Sequence, residues 1–99
     1  VRRLALAAVV VVALSAPAAA SAHATLLSTT PAVGQRLASS PRVVTLAFDE
    51  SVKTLPNGIR VYDAGGGLVS GAARAVPGNP RAVEVALRQL PKGPYTVRW

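Results

Sequence analysis

Hydrophobic residues follow two different patterns along the chain. Leu4 to Leu14 (LALAAVVVVAL) is an unbroken apolar block of eleven residues. From Ala24 onward the apolar residues come in short runs cut by Pro and Gly, and several runs alternate with polar positions. Period-2 alternation predicts strands with one face in a core. Ala24 to Ser28 is the first such segment, and Thr30-Pro31 with Val33-Gly34 then marks a turn-rich connection. Val43 to Asp49 is the clearest strand, with Val44, Leu46 and Phe48 on one face. Pro56-Asn57-Gly58 reads as a turn, with Pro setting the first corner. Ile59 to Tyr62 is the next strand, Asp63 to Gly67 (DAGGG) a flexible hairpin connection, and Leu68-Val69 a short return strand. Pro77-Gly78-Asn79-Pro80 breaks the chain again. Ala82 to Leu87 follows, with Val83, Val85 and Leu87 on one face. Tyr95 to Trp99 closes the series, with Tyr95, Val97 and Trp99 aligned. No stretch shows helical periodicity with caps, no repeat is evident, and no linker separates a second domain. Short strands punctuated by Pro and Gly predict an all-β sandwich or barrel.

The first block has a different meaning. Arg2 and Arg3 precede it, Pro17 ends it, and Ala18 to Ala22 supplies small residues. A positive start, a short apolar run and a small-residue tail are the three parts of an export signal, with cleavage expected after Ala22. The competing reading is a membrane anchor, which needs about 20 apolar residues. Residues 1–22 are therefore expected to leave, and residues 23–99 to form one small domain. Its last strand runs to Trp99. A sandwich of this type closes with at least one more strand, so the expectation is a domain missing its C-terminal strand, part of a longer protein.

Composition narrows the chemistry. The chain has no Cys, which removes disulfides and thiolate metal sites. It has no Met either, so soft Cu(I) ligation within the chain is excluded. The net charge is +7; without Arg2 and Arg3, nine basic residues face four acidic ones, for +5. Those basic residues are scattered singly, without aromatic interleaving, which argues against a nucleic-acid partner.

His23 is the only histidine and stands directly after the expected cut. As a first residue it would present two nitrogens to one ion, the α-amine and imidazole Nδ1. An α-amine has an ordinary pKa of about 7.7–8.0, so a metal displaces its proton far more easily than that of Lys. Nitrogen-rich tetragonal sites suit Cu(II), the strongest of the divalent ions. Two nitrogens do not complete a site, so further ligands must come from the fold.

At these residues the chain resembles a known family. His23 to Gly34 (HATLLSTTPAVG), Pro41 to Glu50 (PRVVTLAFDE), Gly58 to Asp63 (GIRVYD) and Leu90 to Trp99 (LPKGPYTVRW) match CopC-type copper-resistance domains in order and spacing. The resemblance implies a Greek-key, immunoglobulin- or cupredoxin-like β-sandwich or barrel outside the cytoplasm, which binds Cu(II) and turns over no substrate. In some bacteria the domain is fused ahead of a membrane copper-transport domain, so a membrane partner, fused or separate, is implied as well. Residue by residue, His23 matches the N-terminal copper ligand, and Glu50 the acidic residue in or beside the metal site. Asp49 stands where the family more often has a small polar residue. The family's remaining Asp and His ligands follow the Trp matched by Trp99.

Each assignment has a plainer rival. His23 could be a solvated surface residue, and Glu50 an ion-pair partner of Lys53. Tyr95 and Trp99 read as core or pocket wall, and Asp63 and Glu84 as surface. At the level of function the rivals are two. One is a copper oxygenase, which a single histidine cannot build alone. The other is a non-metal immunoglobulin-like adhesion or spacer module held by an uncleaved N-terminal helix.

Overall fold

A computed structural model of the protein describes residues 24–99. The export-signal reading of residues 1–22, and His23 itself, lie outside the described residues. Among the described residues six strands form in order: β1 (Leu26–Thr30), β2 (Val43–Phe48), β3 (Arg60–Tyr62), β4 (Arg74–Val76), β5 (Asn79–Ala86) and β6 (Thr96–Arg98). Among the described residues no helix is long and apolar enough to cross a membrane.

All pairings are antiparallel. One sheet has the order β1-β2-β5-β4, and the other pairs β3 with β6. The alternation seen in the sequence explains why these strands meet as they do. Val44 stands opposite Val85, and Leu46 opposite Val83. All four are buried. From the second sheet Val61 stands opposite Val97 and is buried against the same cluster. Ile59, Val69 and Ala73, from the connecting segments, complete it. A one-residue slip in any of these strands would turn its apolar set to solvent, so burial locks the register. The product is an all-β sandwich.

Local structure departs from the pattern in four places. β1 begins two residues later than the alternation predicts, and a bulge lies within it between Leu26 and Ser28. The extra residue, Leu27, has no partner in the ladder, as a bulge requires, and it is largely exposed. Pro77-Gly78 is a tight hairpin turn rather than a break, with Gly78 at φ +75°. It joins β5 to β4, a three-residue strand too short for its alternation to register. Pro80 sits at the start of β5, where a missing N–H is tolerated, and its carbonyl accepts from Val52 N–H at 3.0 Å. Leu68-Val69 forms a single bridge to Tyr62 instead of a strand. The neighbouring Ser70 Oγ accepts from Val61 N–H at 2.9 Å, stitching this segment to the second sheet.

Two side chains take roles that the sequence leaves open. Asp63 is no idle surface group: its Oδ1 accepts from the N–H of Gly65 at 3.0 Å and of Gly67 at 2.7 Å. The DAGGG segment is thus an ordered turn, with Gly66 at φ +83°. Trp99 is a pocket wall and not a core residue, being 62% exposed. It meets Phe48 edge-on at 5.9 Å between ring centroids. An apolar groove of about 380 Å³ lies between the sheets, lined among others by Leu26, Val44, Leu90, Tyr95 and Trp99.

Candidate metal centre

Because β1 and β2 run antiparallel, the start of β1 lies at the end of β2. Leu26 stands opposite Phe48. One step further out, Asp49 N–H donates to the Thr25 carbonyl at 3.0 Å. Thr25 N–H donates in return to Asp49 Oδ1 at 2.8 Å. A carboxylate oxygen here takes the place of a backbone acceptor, and a charged acceptor makes the stronger bond. The two bonds clamp the segment entering β1 against the residue just before Glu50. Ala24, the first described residue, is the next one out, and one peptide link of about 3.8 Å between Cα atoms joins it to His23.

Glu50 follows β2 and is half-buried, whereas Asp49 is exposed. The expected rival for Glu50, an ion pair with Lys53, does not form; the salt bridge among the described residues joins Arg74 to Glu84 at 2.9 Å. Glu84 is therefore a paired cross-strand carboxylate, standing opposite Arg74 in the ladder. Asp63 is engaged in its turn. Among the described residues no three side chains of His, Cys, Asp or Glu gather as a metal site. What the fold brings together at the end of β2 is Glu50, Asp49 and the segment entering β1. His23, the nitrogen donor that the sequence singles out, lies outside the described residues.

The part of this site missed by sequence reasoning is the role of Asp49. Strand parity turns it outward, and outward it can reach the neighbouring strand's backbone; only the β1–β2 register reveals that. Asp49→Ala should remove the side-chain half of the clamp and keep the backbone half. The expected cost is about 1 kcal/mol, with faster hydrogen exchange at the Thr25 amide. An unchanged Thr25 exchange rate would remove the clamp from the account.

The fold and this site define an antiparallel β-sandwich whose first strand is pinned beside a half-buried carboxylate. The family model described as CopC domain matches residues 26–99. The chain also resembles the crystal structure of CopC from Methylosinus trichosporium OB3b, with 30% sequence identity and a TM-score of 0.67. That similarity covers 76% of this chain and 74% of the other. No curated protein matches the chain. The chain belongs to the CopC domain family.

Proposed function

We propose that this protein binds Cu(II) outside the cytoplasm, in copper resistance or homeostasis, as a carrier of the ion and not as an enzyme. Membership of the CopC domain family supports the reading at the level of the whole domain. The observation that carries it to residues is the Thr25–Asp49 clamp, which leads the segment directly after His23 to the strand end that bears Glu50.

The chemistry follows from cleavage after Ala22. His23 then offers its amine and imidazole nitrogens, and Glu50 offers an oxygen with no competing ion pair among the described residues. Nitrogen with hard oxygen is a donor set for Cu(II), and the chain has no Cys or Met to hold Cu(I). Copper is cargo in this scheme, sequestered or passed to a membrane copper-transport domain, fused or separate.

Two measurements test the reading. Mass spectrometry of the exported protein should find His23 as its first residue; a retained residues 1–22 segment would leave no free amine on His23 and would favour the spacer-module rival. Cu(II) titration of the processed protein should show one site, weakened about tenfold by Glu50→Gln, the lower end of the 10–100-fold typical of residues that support a metal. No Cu(II) binding by the processed protein would end the proposal. Unchanged affinity in Glu50→Gln would remove that residue from the site.

A further inference from the structure

We propose that the outward face of the β3–β6 sheet is a binding site for a phosphate-class oxyanion, held between Arg60 and Arg98. Residues directly opposite in an antiparallel ladder lie close enough for their side chains to interact, and like charges placed there are destabilising. The β4–β5 ladder fills one such position with opposite charges, Arg74 facing Glu84. The β3–β6 ladder fills the equivalent position with two arginines, Arg60 facing Arg98. Val61 and Val97, one step along, take the inward face, so both guanidinium side chains are carried on the outward one.

Neither guanidinium has a carboxylate or a carbonyl as partner among the described residues. The hollow they share, about 310 Å³, is lined by Asn57, Gly58, Arg60, Tyr62, Arg98 and Trp99. No acidic residue is among them. The lining offers donors instead: two guanidinium forks, the Asn57 amide and the Tyr62 hydroxyl. A planar guanidinium fork matches the spacing of two oxygens on a phosphate and binds them bidentately. A bound oxyanion would place negative charge between the two cations and turn an unfavourable pair into a favourable triplet. The surplus of basic residues over the whole chain adds a field of the same sign. This site is independent of the copper reading, since it uses neither His23 nor Glu50.

The same chemistry occurs in free phosphate and in a phosphodiester lipid headgroup, and the test separates them. The exported protein, free of metal, is titrated with inorganic phosphate at low salt. It is also sedimented with vesicles of phosphatidylcholine, with and without phosphatidylglycerol. The variants are Arg60→Gln, Arg98→Gln and, as a control elsewhere on the surface, Arg81→Gln. Saturable phosphate binding is expected. Arg60→Gln and Arg98→Gln should each weaken it at least about tenfold, as loss of one charge-assisted contact implies, while Arg81→Gln should not. Phosphate should raise the thermal midpoint of the parent protein and leave that of Arg98→Gln unmoved. Vesicle binding that needs phosphatidylglycerol and both arginines identifies a headgroup; phosphate binding without vesicle binding identifies the free ion. Two outcomes overturn the proposal. One is no saturable binding to phosphate or to either vesicle. The other is an equal loss in Arg81→Gln, which would show diffuse charge attraction. Should Arg60→Gln fold poorly, the exposed Arg98→Gln decides alone.

Discussion

Acetylation of the His23 amine in the processed protein is expected to weaken Cu(II) binding at least about 100-fold, at or beyond the limit for loss of a supporting residue around a metal. The reason is the chelate. On the proposed reading one residue supplies two nitrogens, and acetylation turns the amine into an amide whose lone pair is delocalised into the carbonyl. The imidazole alone then holds the ion as a single donor. His23→Ala, with a free amine but no imidazole, should lose a comparable amount by removing the other half. Acetylation is a better probe than an added residue, because an added residue brings its own amine within reach of the same imidazole. Competition against a chromophoric chelator measures all three proteins on one scale. Equal affinity of the acetylated and free forms would show that the amine is not a ligand, whatever the fate of Glu50. Glu50→Gln should fall between these variants and the parent, since in the proposed site it would remove one charged oxygen and leave the nitrogens.

Leu46→Ala should destabilise the domain by about 2–5 kcal/mol, the range for deleting a large aliphatic side chain from a core. Leu46 has no exposed surface and lies on β2, a strand paired on both sides, by β1 and β5. Its side chain shares the core with Val44, Val83 and Val85 from the same sheet and Val61 from the other. The rigid strand pair leaves little room for the cavity to collapse, which favours the upper half of that range. Small domains hold total stabilities near the low end of about 5–15 kcal/mol. Urea denaturation should therefore show a large drop in midpoint with an unchanged slope. Leu27→Ala is the matched control. Leu27 sits at the bulge and is 65% exposed, so its loss should stay within about 0.5 kcal/mol. A cost for Leu46→Ala as small as that of Leu27→Ala would mean that the two sheets do not share the core described here.

The faces of the long strands were legible from alternation. Parity alone turns Val44 with Leu46, and Val83 with Val85, inward, and all four are buried. β4 was not legible, because Arg74–Val76 is too short to show a period. Pro77 to Pro80 looked like a break because Pro and Gly mark turns and strand starts alike; here they do both. The bulge at Leu27 was hidden because a bulge replaces the alternation on which the reading depends. In the candidate site, parity, the expected cut and family resemblance single out Glu50 and His23. They do not reveal the work of Asp49, since its partner is a backbone N–H that carries no residue signature.

The sequence by itself determined which face of each long strand turns inward, because a two-residue period is a property of the local backbone. It also determined the chemical limits of any metal site, since ligand types are a matter of composition. Only the tertiary structure decided which residues stand opposite one another. Thr25 meets Asp49 across 24 residues of chain, and Arg60 meets Arg98 across two strands that other strands separate in sequence. Such pairings follow from register, and register is chosen by the burial of the whole apolar set at once. No short window of sequence contains that sum.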